Sequence, residues 1–177
     1  MSLTILTGAS GSGKTAIAEA VAARFAGTID VHYFDRIGVP PVERMIAEHG
    51  SPEEWQRAMT MAWMTKLSAA VKAGRKVVLE GQMRLSFVME AASTAGISCF
   101  PILVDCDDDT RTRRLTIDRR QPELANADMM NWAAYLRREA IENGCEILDT
   151  SGRTLDESVA HLVARLAQQH RLVPRHA

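Results

Sequence analysis

Long apolar runs are missing from this chain. Nothing approaches the roughly 20 residues that a membrane-spanning helix requires, and no basic-then-apolar leader stands ahead of the apolar stretch that opens at Leu3. The expectation is a protein neither exported nor anchored in a bilayer, working in the cytoplasm without a membrane partner. Cysteine is scarce: Cys99, Cys106 and Cys145 are odd in number and far from any C-x-x-C spacing, so they read as reduced, mostly buried thiols. An excess of charge of either sign is absent too, with 21 Lys and Arg against 22 Asp and Glu. No basic run offers the clustered surface that counterion release from a polynucleotide needs, so nucleic acid is not expected as a partner. The five histidines show no metal-ligand spacing. Without repeats, low-complexity tracts or a dividing linker, the chain reads as one domain over residues 1–177, long enough to bury a core without disulfides or structural metal. It is compatible with a monomer or a homodimer.

Apolar runs of strand length recur at Leu3–Thr7, Ile29–Phe34, Lys76–Leu79, Cys99–Val104 and Cys145–Leu148, with room for a helix between successive runs. That alternation predicts an α/β fold, a parallel sheet covered by helices on both faces. Ile17, Val21 and Phe25 fall on one side of a first helix, and Leu155, Val159, Leu162, Val163 and Leu166 on one side of a last. The longest connection carries a short helix near residues 42–48. A long helix then opens at Ser51-Pro52-Glu53-Glu54, in the order N-cap, N1 proline, capping glutamate, and Gly74 ends it. Its stripe of Trp55, Met59, Trp63, Leu67 and Val71 is core packing, with the further expectation that its first turns wall an acceptor pocket.

Residues Gly8-Ala9-Ser10-Gly11-Ser12-Gly13-Lys14-Thr15 fit G-x-x-x-x-G-K-[ST], directly after an apolar strand and directly before an amphipathic helix. Glycines let successive backbone N–H groups converge on phosphates, and the start of the helix, through Ala16, adds donors with a favourable dipole. Lys14 supplies a point charge to the β- and γ-phosphate oxygens, and the Thr15 hydroxyl suits Mg²⁺. The implied ligand is ATP, or another nucleoside triphosphate, with Mg²⁺. The guanine-reading N-K-x-D, the D-x-x-G switch and the transporter L-S-G-G-Q are all absent. The chain is also too short for the extra helical domain of AAA-type machines.

GASGSGKT resembles the loop of the nucleotide- and small-molecule-kinase branch of P-loop proteins, which includes adenylate, shikimate, gluconate and chloramphenicol kinases. The segment Val78-Leu79-Glu80-Gly81-Gln82-Met83-Arg84 is similar to the D-G-F-P-R segment of adenylate kinases, with Glu for Asp and no proline. The resemblance implies the P-loop three-layer α/β/α sandwich with strand order 2-3-1-4-5, a helical acceptor region over residues 36–74 and a short lid over 119–128. It also implies that Glu80 holds magnesium-bound water, with Gly81 beside it at the acceptor and Arg84 gripping an acceptor anion. Glu80 has its own case, since ligands of open α/β sheets gather outside the carboxyl ends of the strands. A solvated glutamate is the alternative.

Asp35 follows the second strand, where several kinases of this kind place a general base, and a carboxylate there can take the proton of an attacking hydroxyl. A turn-capping Asp competes with that role, and Glu80 competes for the base. Arg36 either holds an anionic acceptor or lies on the surface. Arg114-Leu115 followed by Arg119 and Arg120 resembles the family's R-L-x-x-x-R run, implying that Arg114 stacks on adenine and that Arg119 and Arg120 contact phosphate, with Arg137 as the arginine that returns after the lid. Guanidinium groups arriving on closure would neutralise the transferring phosphate; solvated i, i+4 helix pairs are the plainer account of the cluster. The segment Leu148-Asp149-Thr150-Ser151-Gly152 resembles the loop that borders adenine. The reading is therefore a kinase passing the γ-phosphate to a small-molecule acceptor. Its rivals are a regulatory ATPase with no such acceptor and a polynucleotide 5′-kinase.

Overall fold

The computed structural model describes residues 2–171; Met1 and residues 172–177, the two ends of the expected 1–177 domain, lie outside the described residues. Five parallel strands form the sheet: β1 (Ser2–Thr7), β2 (Ile29–Tyr33), β3 (Lys76–Gly81), β4 (Ser98–Asp105) and β5 (Glu146–Asp149). Their spatial order is β2-β3-β1-β4-β5, the order the resemblance implies. The helices are α1 (Lys14–Arg24), α2 (Val42–His49), α3 (Pro52–Lys72), α4 (Leu85–Ala95), α5 (Asp108–Arg113), α6 (Ala127–Glu142) and α7 (Leu155–Arg171). Among the described residues no helix is long and apolar enough to cross a membrane.

Period-2 alternation along the strands builds two apolar layers. Leu3, Ile5, Val77 and Leu79 face α3 and α4, where Trp55, Trp63, Met64, Leu67, Val71 and Val88 bury against them. Leu6, Val78, Ile102, Val104 and Leu148 face the other way, onto Ile17 and Val21 of α1 and Val159, Leu162 and Leu166 of α7. Leu155, placed on that stripe from the sequence, is instead 43% exposed at the first turn of α7. The long helix starts as read: the Ser51 side chain accepts the Glu54 N–H at 3.1 Å, and Pro52 occupies its first turn. Of the three cysteines only Cys106 is buried; Cys99 and Cys145 are half-buried, and all are free. Burial still pushes the Cys99 thiol up to about 11.

Every strand differs from the sequence reading by a residue or two at one end or both, and two of these differences shape the site. β2 stops at Tyr33, and Phe34–Ile37 wind into a 3-10 turn that presents Asp35. β3 runs on to Gly81, because Tyr33 pairs with Glu80 on one side and Thr7 with Gly81 on the other. Glu80 therefore sits within the sheet's carboxyl edge.

Candidate active site

The segment Gly8–Thr15 leaves the carboxyl end of the central strand and enters α1 without a side-chain cap: Gly13 stands at the N-cap position, and the first turn holds no acidic residue. The opening N–H groups of α1 are thus left to a ligand. The loop is held from outside by its carbonyls. Arg111, fully buried, donates from Nη1 to the Ser10 carbonyl at 2.8 Å. Arg114 donates from Nη1 to the Gly11 and Ser12 carbonyls, both at 3.2 Å, and the Thr150 hydroxyl donates to the Ser12 carbonyl at 2.8 Å. Gly8 has no alternative, since a Cβ there would lie 2.2 Å from the Val104 carbonyl oxygen. With the carbonyls tied back, the concave side is left to amide hydrogens, which is the geometry an anion needs.

At the mouth, Lys14 and Glu80 are both buried, with Lys14 Nζ 3.8 Å from Glu80 Oε1. Thr15 Oγ1 donates to the same carboxylate oxygen at 2.9 Å. Burial lowers the Lys14 pKa, opposed by the negative charges of Glu80 and Asp35 and reinforced by Arg119 and Arg111. Burial raises that of Glu80, opposed by the Lys14 charge and the Thr15 hydroxyl. Each charge thus offsets the desolvation of the other. Two hard oxygen donors 2.9 Å apart fit a Mg²⁺ ion that keeps most of its waters. Beside them a cleft of 340 Å³ is lined by Lys14, Thr15, Arg114 and Arg119, together with the acidic Glu19 and Asp118.

The residues singled out from the sequence divide into those that meet here and those that do not. Gly8 to Ala16, Glu80, Arg114 and Arg119 gather around the loop, and Asp35 lies within the electrostatic field of Lys14 and Glu80. Gly81 packs against the Asp35 turn, where a Cβ on it would sit 2.4 Å from Phe34 Cβ. Arg114 has its guanidinium committed to the loop carbonyls and to Thr150, at 2.9 Å to both the hydroxyl and the carbonyl oxygen. Arg120 is exposed, with a left-handed backbone (φ 53°), at the exit of a π-helical turn over Arg114–Asp118. Arg36 lies over the Tyr33 ring at 4.0 Å. Arg84 stands 5.3 Å from the rings of Trp132 and of Tyr135 and pairs with Glu53 at 3.5 Å.

Arg137 is the clear departure. Its Nε donates to Asp105 Oδ2 at 2.6 Å, in a separate acidic cleft with Asp107, Asp108 and Asp149. The physical reason is the carboxyl end of β4: Asp105 is buried, already takes Arg111 on Oδ1 at 2.7 Å, and draws the second guanidinium to its other oxygen.

Several residues escaped the sequence reading. Gln82 Nε2 donates to Ser10 Oγ, and Gln82 Oε1 accepts from Trp132 Nε1, both at 3.1 Å. Gln56 of α3 donates to the Gln82 carbonyl at 2.8 Å, and Trp63 donates to the Phe34 carbonyl at 3.3 Å, holding the turn that bears Asp35. The one available signal was position, since Gln82 directly follows a strand's carboxyl end.

Residues 5–131 match the family model described as an AAA domain. No curated protein matches the sequence. Among solved structures, a sugar kinase from Janibacter sp. HTCC2649 is similar at 16% identity over 99% of both chains, with a TM-score of 0.70. A gluconokinase from Sinorhizobium meliloti 1021 shares 18% identity over 96% of this chain and 94% of its own, at 0.68. The shikimate kinase from Acinetobacter baumannii, in complex with shikimate, shares 12% over 98% and 96%, at 0.60. Likeness at such identities speaks for the fold, while the model match, which runs from the central strand through the phosphate-binding loop and the arginine-rich segment into α6, speaks for the family. The chain belongs to the AAA domain family and is built on the fold of the P-loop small-molecule kinases.

Proposed function

We propose that this protein is an ATP- and Mg²⁺-dependent phosphotransferase that acts on the hydroxyl of a small molecule in a reducing cytoplasm. The observation that carries the reading is the convergence of Lys14, Thr15 and Glu80 at the mouth of an uncapped helix, with Asp35 and Arg119 in the same field. Lys14 and the loop amides hold the triphosphate, and Thr15 and Glu80 hold Mg²⁺, which when bound draws charge from the phosphate oxygens. Glu80 is engaged by Thr15 and Lys14, which leaves Asp35 as the base. The acceptor oxygen attacks the γ-phosphorus, its proton passes to Asp35, and the bond to the β–γ bridging oxygen breaks. Arg119, with Arg120, neutralises the transferring group from a lid over residues 119–128, and residues 36–74 wall the acceptor. The names of the similar structures suggest sugars, sugar acids and cyclic hydroxy acids as the first acceptors to try.

The test is ADP release across such a set of acceptors. Asp35→Asn should lower acceptor-dependent turnover by about 10²–10⁴-fold while Mg·ATP affinity stays the same, and Lys14→Ala should abolish both. Turnover that persists in Asp35→Asn, or nucleotide binding untouched in Lys14→Ala, would sink the proposal.

A further inference from the structure

Between the phosphate-binding loop and the acceptor wall runs a chain of side-chain hydrogen bonds whose direction is fixed by chemistry. Indole nitrogen can only donate, so Trp132 Nε1–H must meet the amide oxygen of Gln82. That assignment turns the amide nitrogen of Gln82 toward Ser10, and Ser10 Oγ accepts at 3.1 Å. A serine hydroxyl has one hydrogen to give. With one of its lone pairs occupied by Gln82, that hydrogen is kept for another acceptor.

The stretch that carries Gln82 is pinned at each step. The Gln82 carbonyl accepts from Gln56 Nε2 at 2.8 Å, and the Arg84 N–H reaches Gln56 Oε1 at 3.4 Å. Between them, Met83 N–H donates to Thr7 Oγ1 at 3.0 Å and the Met83 carbonyl accepts the Thr7 hydroxyl at 2.6 Å. Trp132 is held as well, stacked on Tyr135 with centroids 5.4 Å apart and planes at 11°. Ser10 itself is fixed on its other side, where its carbonyl takes the buried Arg111. So much constraint on one neutral amide serves placement more than stability, because each net hydrogen bond contributes only about 1 kcal/mol.

We infer that Gln82, oriented by Trp132, is a positioning residue that sets the Ser10 hydroxyl as a donor to the terminal phosphoryl group, making the site discriminate nucleoside triphosphate from diphosphate. This rests on the kinase reading above. Ser10 Oγ lies on the β3 side of the loop, next to the residue that links it to α6 and α3. A terminal phosphoryl awaiting attack from the acceptor side must occupy that edge, and a diphosphate does not reach it. The relay therefore stabilises one nucleotide state selectively.

The experiment is calorimetric binding of Mg·AMP-PNP and Mg·ADP to wild type, Ser10→Ala, Gln82→Met and the double variant, with Trp132→Phe as a second break in the relay that leaves Gln82 in place. Hydrogen bonds to charged groups predict a loss of about tenfold in AMP-PNP affinity for Ser10→Ala, with ADP affinity unchanged within about twofold. Gln82→Met and Trp132→Phe should lose about three- to tenfold in the same selective way. Adding Gln82→Met to Ser10→Ala should cost nothing further, because both act through one hydrogen. Equal losses for both nucleotides would mean a merely structural role, and unchanged affinities, or additive effects in the double variant, would equally overturn the relay. Wild-type protein that binds neither nucleotide would overturn the kinase reading itself, and the relay with it.

Discussion

Gly81 is a tight position beside the site. Its Cα faces Phe34 so closely that an added methyl would stand 2.4 Å from Phe34 Cβ, and Phe34 is itself buried at the start of the Asp35 turn. Gly81→Ala must therefore displace either the end of β3 or the turn. The expected result is a loss of about 1–3 kcal/mol in urea unfolding, together with a fall in acceptor-dependent turnover larger than the fall in nucleotide affinity. A variant as stable and active as wild type would show that the turn gives way freely. At this scale the sequence was legible wherever a residue acts within its own motif: Lys14, Thr15 and the loop glycines follow from spacing and flanking periodicity. It placed Arg111 only within the arginine-rich cluster, without the Ser10 carbonyl 101 residues away that it holds, and it gave no role to Gln82, which lies 50 residues from Trp132. Partnerships of that kind are created by topology, and the local pattern around either partner looks like ordinary charged or polar helix and loop.

At the scale of elements, α3 ties the proposed acceptor region to the site. It supplies Gln56 to the segment after β3 and Trp63 to the Phe34 carbonyl, while its apolar stripe packs on the sheet. Its start depends on Ser51, so Ser51→Ala should cost about 1 kcal/mol in a urea melt with Mg·ATP affinity unaltered; a loss of affinity would mean that the helix start reaches the nucleotide site. Apolar runs located all five strands, but their ends had to wait for the structure. β3 gains Glu80 from pairing on both sides and Gly81 from pairing with β1, and β2 loses Phe34 to a turn. The arginine-rich segment hides a further irregularity. Arg119 N–H reaches back to the Arg114 carbonyl at 2.9 Å and Gln121 N–H to that of Leu115 at 2.8 Å, a widened turn that a 3.6-residue pattern does not foretell.

For the whole molecule, the expectation is a body that changes little except where the proposed lid over residues 119–128 meets the loop. Arg119 and Arg120 are exposed and suited to trypsin. Saturating Mg·AMP-PNP should slow cleavage after them and raise the melting temperature in step with ligand concentration, and Lys14→Ala should remove both effects together. Cleavage that proceeds at the same rate with the site filled would argue against a closing lid.

The placing of the first strand at the middle of the sheet also governs how the protein can be made. Leu3 is paired with Val77 on one flank and with Cys99 on the other, so β1 gains both of its neighbours only once β4, far along the chain, has been made. The phosphate cradle hangs from that strand and is braced by Arg111, Arg114 and Thr150. A nascent chain halted before β4 has been translated would carry the complete GASGSGKT motif and yet hold no nucleotide, so the ligand can assist only the final stage of folding.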